Sequence, residues 1–396
     1  MPNVLISTEQ RRARLAIRHG LASPVADAVS AADHMVLLHA TDPASIFLAA
    51  HARSRGVSVA DIEASLFEDR TLMRTLAMRR TLFVASRSVL PVIEVAASVD
   101  VARAERKTLV KYLDQSGVTN PEEWLADAFG QVLAVLDGAG GVTARQVTAL
   151  VPVLATRITL GSGKFTQEAG ATSRVLGLMA VEGLLARGRP GGLWTGRQYV
   201  WHRRDQWLPL EQPLLDVAAA SGELLNRWLY TFGPGTMVDL RWWTGWTKSK
   251  VSKTLDGLDV AEVDLDDGRT GYVLADDLAD VDEPEPWVVC LPALDPTSMG
   301  WKDREWYVGD HAAELFDRNG NIGPTIWADG KIVGGWASRA DASIAMELFE
   351  PLSPAHTRLL DQRLHDLEEF VDGVPIKPSF PTPQQKRLAS SVDLRE

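Results

Sequence analysis

Cysteine occurs once in the 396 residues, at Cys290, so the chain has no internal disulfide and no Cys-rich metal site. No apolar run comes near the roughly 20 residues that a membrane span needs. The first residues, Met1-Pro2-Asn3-Val4, lack the charged and apolar blocks of a secretory signal. The eight histidines are scattered, with no His-x-x-x-His pair and no Cys/His cluster. Gly-x-Ser-x-Gly and Gly-x-Gly-x-x-Gly are missing from any strand–helix junction. Gly161-Ser162-Gly163-Lys164 ends like a phosphate loop without the full spacing, and reads as an ordinary loop. These absences leave the expectation of a cytosolic protein without metal or cofactor.

What is present is a globular composition, 45% hydrophobic and 23% charged, in a chain long enough for roughly two to four domains. The net charge is −11, which argues against a polyanionic partner until its distribution is read. Residues 256–295 hold thirteen acidic residues against one basic, Arg269. Residues 1–113 carry fifteen Lys or Arg against eleven acids, and 157–204 carry eight against two. Local field decides where a polyanion docks, and this distribution permits a basic face with an acidic back.

The clearest pattern lies in 232–274. Gly233-Pro234-Gly235-Thr236 is a turn with an N-cap, followed by Met237, Leu240 and Trp243 at helical spacing. Thr244-Gly245 breaks that helix, and Thr247 caps a second one over 248–257. Its Val251, Leu255 and Leu258 form a buried stripe, and Lys248, Lys250 and Lys253 lie in the same helix. Two strand-like runs follow, joined by Asp266-Asp267-Gly268-Arg269, a hairpin signal. Together these spell a winged helix-turn-helix, whose second helix enters a DNA groove. A helical module used only for packing or dimerisation is the alternative.

The remainder reads as variations on this unit. Thr8-Glu9-Gln10-Arg11 opens a helix carrying Arg11, Arg12, Arg14 and Arg18, a row that is a solvated face or a phosphate contact. Helices are expected over 30–38, 44–53, 58–66 and 70–78, then a strand at 81–85. Residues 88–137 read as helical, and 142–202 as a second winged helix with a basic, glycine-rich wing containing Arg187 and Arg189. After the linker Asp282-Glu283-Pro284-Glu285-Pro286, strands at 287–294, 323–328 and 331–336 indicate a β-rich domain, with Asp329-Gly330 as a turn. The tail from Val374 is rich in Pro, Gln, Lys and Ser and reads as loose. The fold class is α+β, with tandem winged helix-turn-helix domains and a C-terminal, mostly-β, barrel-like domain. The units fall at 7–137, 138–210, 211–281 and 287–370, with a tail at 374–396.

At this point four sets of residues carry a resemblance. They are Phe67-Glu68-Asp69-Arg70 with Met78-Arg79-Arg80-Thr81-Leu82; Phe232-Gly233-Pro234 with Trp242-Trp243-Thr244-Gly245; Tyr272-Val273-Leu274-Ala275-Asp276-Asp277-Leu278; and Leu291-Pro292-Ala293-Leu294-Asp295 with Gly300-Trp301-Lys302-Asp303-Arg304. Over 8–370 the chain resembles the winged-helix DNA-binding family that includes the AlkZ-like glycosylases, which unhook interstrand crosslinks. The resemblance implies tandem winged helices, a barrel-like C-terminal domain and binding to duplex DNA. It also implies a Gln-x-Gln or Gln-x-Asp pair where this chain has His39-Ala40-Thr41 and then Asp42-Pro43. Many relatives read Met-Arg-Gly-Thr-Leu-His where this chain has Met78-Arg79-Arg80-Thr81-Leu82-Phe83. The chain therefore resembles a divergent branch.

Cutting an N-glycosidic bond requires a group that orients water at C1′ and a negative or dipolar group beside the oxocarbenium-like sugar. Neutral His39, with an ordinary pKa of about 6.5, could take the proton. Thr41 could position the water, and Asp42 could supply the charge. The bland alternative is Asp42 as a helix cap and His39 as a satisfied core or interface histidine. Of the thirteen tryptophans, Trp242, Trp243, Trp287 and Trp327 read as core, whereas Trp301 and Trp306 flank Lys302 and Arg304 in a loop suited to backbone or an unstacked base. The DNA-binding candidates are Arg79, Arg80, Arg187, Arg189, Lys248, Lys250, Lys253, Trp301, Lys302 and Arg304. The expected function is duplex-DNA binding and lesion recognition, with monofunctional glycosylase activity on alkylated or crosslinked purines. The alternatives are a non-catalytic regulatory or architectural binder, and a structural module that packs on protein. Three winged units in one chain suit a monomer wrapping a lesion.

Overall fold

A computed structural model describes residues 4–161, 166–209 and 215–390. Ser162-Gly163-Lys164 and the final six residues of the tail lie outside the described residues.

Ser7 caps the Thr8–Arg18 helix, its hydroxyl accepting from the Gln10 amide at 3.2 Å. The arginine row of this helix turns inward. Arg11 and Arg14 are 3% and 1% exposed, so neither is a solvated face nor a phosphate contact. Arg14 pairs with Asp277 at 2.8 Å and donates to the Ala279 carbonyl at 2.7 Å, while Arg18 reaches Asp277 at 2.6 Å. Part of the acidic surplus read at 256–295 is thus spent inside the molecule, on buried guanidinium groups that need a partner.

The Ala28–His34 helix ends four residues before the expected 38, and Leu38–His39 is a strand. It pairs antiparallel with Thr81–Ser86, which pairs with Leu72–Ala77 on its other side. The helix expected over 70–78 is therefore a strand. Its residues are almost all buried, so the alternation that marks a half-exposed strand is missing from the sequence. Arg79 and Arg80, both at positive φ, form the tight turn between the two longer strands.

The middle of the chain has its own core, containing Leu125, Val132, Val147, Leu176 and Met179. It comprises helices Val99–Gln115, Pro121–Leu136, Ala144–Leu150 and Thr172–Val181, with a sheet ordered Val142–Thr143, Tyr199–Arg203, Leu185–Pro190. A further hairpin, Arg157–Leu160 with Gln167–Gly170, was not anticipated from sequence.

Three helices follow: Val217–Phe232, Met237–Thr244 and Lys248–Leu255. Thr236 caps the second, accepting from the Asp239 amide, and Thr247 caps the third, accepting from the Lys250 amide, each at 3.2 Å. Strands Val260–Leu265 and Thr270–Leu274 make the expected hairpin, extended to three strands when Leu5–Ile6 adds in parallel. Gly245 ends the middle helix in the left-handed region at φ +72, a conformation that disfavours a side chain.

The C-terminal sheet is an open meander: Val288–Leu291, Thr325–Ala328, Lys331–Ser338, Ile344–Leu348. Its first and last strands do not pair, so the barrel-like expectation is corrected. Four strands are too few to curl into closure, and helices Pro354–Val371 and Pro383–Ser390 pack on the sheet instead. The second of these helices corrects the loose tail: Gln384 is buried and its amide donates to Glu347 at 3.0 Å. The main apolar core is continuous from Leu15 through Phe47, Trp228 and Phe232 to Trp327 and Trp336. No helix among the described residues is long and apolar enough to cross a membrane.

Candidate functional site

His39 sits at the end of its strand opposite Phe83, with the two rings edge-to-face at 5.3 Å between centroids. The ladder continues past it, the Ala40 amide donating to the Leu82 carbonyl at 2.8 Å. The imidazole is buried, and Nδ1 is shut from solvent with no hydrogen-bond partner. A ligand can therefore meet the ring only at Nε2. Burial, reinforced by the charge of Arg79, pushes the pKa of His39 down to about 3. The ring is neutral at physiological pH and is a far weaker base than its ordinary value implies.

Asp42 turns elsewhere. The strand ends at His39, and the chain bends at Thr41 and Asp42 before the next helix. One Asp42 oxygen accepts from the Ser379 amide at 3.0 Å, and Arg197 stands 3.8 Å from the other. Burial raises the carboxyl pKa, partly offset by the Ser379 amide and Arg197. Asp42 also precedes the Pro43–Arg53 helix as its N-cap residue but makes no side-chain cap bond. Of the proposed trio, His39 feels the charge of Arg79, Asp42 is held by the C-terminal segment, and Thr41 between them is half-buried.

The candidate DNA contacts divide by their partners. Lys248, Lys253 and Lys302 are exposed and carry no ion pair among the described residues. Lys250 lies over the Trp246 ring at 4.2 Å and 3.6 Å from Asp100. Arg80 is exposed but bonded to Glu105 at 2.9 Å. Arg189 is engaged by Glu63 and Glu68. Arg187 stacks on Trp201 at 4.9 Å, and burial lowers its pKa to about 10. Trp301 is 3% exposed, its indole N–H donating to the Phe232 carbonyl at 3.1 Å, which makes it part of the core rather than a surface platform.

Arg79 and Arg304 come together on one indole. Their guanidinium carbons lie 3.9 and 4.7 Å from the centre of the Trp242 ring. Trp242, read from sequence as core, is half-buried. Asp239 also escaped the sequence reading. Its carboxylate accepts from the Lys302 and Asp303 amides at 2.8 and 3.2 Å and from Thr236, fixing the 302–304 loop against the three-helix unit. The Thr236-x-x-Asp239 capping box was a visible local signal for half of that role, whereas the loop contact is non-local.

The model of the AlkZ-like DNA glycosylase family matches residues 32–370. The chain belongs to the AlkZ-like family. Its fold is that of the solved Streptomyces sahachiroi DNA glycosylase AlkZ, with a TM-score of 0.71 and 19% identity over 95% of this chain and 99% of that one. No curated protein matches the sequence. In this AlkZ-like chain, the motif positions of the resemblance are the strand end at His39, the hairpin turn at Arg79 and the loop at Arg304, and the Arg79 charge bears directly on His39.

Proposed function

We propose that this AlkZ-like protein binds duplex DNA and hydrolyses the N-glycosidic bond of alkylated or crosslinked purines. The observation that carries the reading is His39, a neutral histidine with one sealed ring nitrogen, under the field of Arg79, at the position where the family resemblance implies a catalytic polar group. In the reaction, the C1′–N9 bond breaks and its electron pair leaves with the cationic purine. A water oxygen then bonds C1′ and releases its proton to solvent. His39 holds that water through Nε2. A pKa of about 3 makes it an orienting group rather than a strong base, and a cationic leaving group needs little base assistance.

The helix order of 217–255 and the hairpin after it support reading this unit as a winged helix, with Lys248–Leu255 meeting the DNA groove. Lys248 and Lys253 then contact phosphate, and 142–203 forms a second unit of the same kind, in a monomer acting without metal or cofactor. A non-catalytic duplex binder is the second reading. It is favoured by Asp42, whose carboxylate is committed to Ser379 and so does not face the His39 ring.

The deciding experiment incubates 7-methylguanine duplex with wild type and His39→Ala and measures free base by chromatography. Wild type should release base and the variant at least tenfold less, a smaller loss than the roughly 10²–10⁴-fold of a full general base because His39 only orients the water. No release by wild type leaves the binder alone.

A further inference from the structure

Arg79 and Arg304 arrive at Trp242 from opposite parts of the chain, one from the tight turn of the N-terminal hairpin and the other from the loop anchored by Asp239. Arg79 makes no hydrogen bond or ion pair among the described residues. Arg304 uses only its Nε, donating to the Trp301 carbonyl at 2.8 Å, which leaves both terminal nitrogens without a partner. Other guanidinium groups have a carboxylate, Arg14 with Asp277, Arg53 with Asp295 and Arg204 with Glu94. Buried Arg11 and Arg74 have none among the described residues, and exposed Arg79 and half-buried Arg304 differ from them in sharing one ring. The carboxylate beside Arg304 in sequence, Asp303, is already taken by Arg269.

Two like charges on one ring repel, and the charge of Arg304 adds to burial, the larger cause, in lowering the pKa of Arg79. Stacking on the indole offsets part of that cost and holds each planar guanidinium with its edge free. A tetrahedral dianionic or monoanionic oxygen cluster between the two edges removes the repulsion and accepts from both. We propose that Arg79, Trp242 and Arg304 form a clamp for a single DNA phosphodiester, the one adjoining the nucleotide that meets His39. The clamp rests on the DNA-binding reading above. It gives the arginines a shared ligand, whereas separate contacts would take one phosphate each.

The number of phosphates neutralised is measurable, because binding falls with salt at a slope of about 0.9 per phosphate. The full chain is titrated by fluorescence anisotropy with a 15-base-pair duplex carrying a tetrahydrofuran abasic analogue, at several salt concentrations. Arg79→Gln and Arg304→Gln should each weaken binding roughly tenfold and leave the slope nearly unchanged, since one guanidinium still holds the phosphate. The double variant loses the phosphate contact altogether, so it should be roughly another tenfold weaker than either single, with the slope reduced by only about 0.9. Arg304→Lys, which keeps the charge and the loop but not the flat stack, should bind nearly as weakly as Arg304→Gln with the wild-type slope.

A slope reduced by about 1.8 in the double variant would mean two independent phosphates and overturn the clamp. Unchanged affinity in the double variant, with thermal melting like wild type, overturns it as well. Wild type failing to bind either this duplex or an undamaged one would instead sink the DNA-binding reading beneath it.

Discussion

Arg53 and Asp295 form a two-pronged ion pair with no solvent access on either side chain, Nη1 to Oδ2 at 2.8 Å and Nη2 to Oδ1 at 2.7 Å. The pair ties the end of the Pro43–Arg53 helix, whose start adjoins His39, to the segment leading into the Trp301 loop. Thr297 joins it, accepting from Arg53 at 2.8 Å and meeting buried His19 at the same distance. Breaking such a pair strands a buried charge, so Arg53→Met should cost roughly 3–5 kcal/mol in denaturant unfolding. Arg53→Met with Asp295→Leu should recover part of that loss; a double variant as weak as the sum of the singles would refute this account.

Acid should weaken the protein earlier than carboxylate titration alone would. His39 and His51 have folded pKa values of about 3 and about 4, both lowered first by burial. In the unfolded chain each takes its proton near 6.5. The unfolded state therefore binds more protons between these limits, and stability falls as pH drops from about 6.5. At pH 5.5 each histidine accounts for about 1.4 kcal/mol. Unfolding midpoints measured from pH 7.5 to 5 should fall, and His51→Phe should flatten the slope.

The rate of base release should be flat across pH 6.5, because His39 in the folded protein does not titrate there. A bell-shaped or sigmoidal profile centred near 6.5 would show an accessible, ordinary imidazole. His39→Gln, which retains a hydrogen-bonding group, should keep more activity than His39→Ala.

Among the lysines of the Lys248–Leu255 helix, exposure separates the roles. Lys248→Ala with Lys253→Ala should lower the salt slope for duplex binding by about 1.8, since both are exposed and unpaired. Lys250→Ala should change the slope less, because Lys250 is held by Trp246 and Asp100. Equal effects for all three would contradict this division.

Trp301→Leu should act on the fold before it acts on DNA. The substitution removes an indole packed against His19, Phe232, Trp306 and Tyr307. Truncating a core Trp to Ala costs roughly 3–5 kcal/mol, and Leu, which leaves a smaller cavity, should cost somewhat less. A normal melting temperature with lost DNA affinity would restore it as a binding residue.

The local features of this protein were written in its sequence. Thr236 and Thr247 cap helices where their spacing predicted, and Asp266-Asp267-Gly268-Arg269 turns the hairpin. Capping and turn chemistry act within about four residues, so no knowledge of the rest of the chain is required. Tertiary structure decided what depends on distant neighbours. Leu72–Ala77 is a strand because both its faces are covered and Thr81–Ser86 pairs with it, against a pattern that suited a helix. Arg14 went inside because a carboxylate and carbonyls near residue 277 were waiting there, and Arg11 because the Trp306 ring was, whereas Arg79 and Arg304 met on Trp242 without a carboxylate. The same holds for His39, whose titration is set by burial and by Arg79, forty positions away in the sequence and close enough in the fold to bear on its charge.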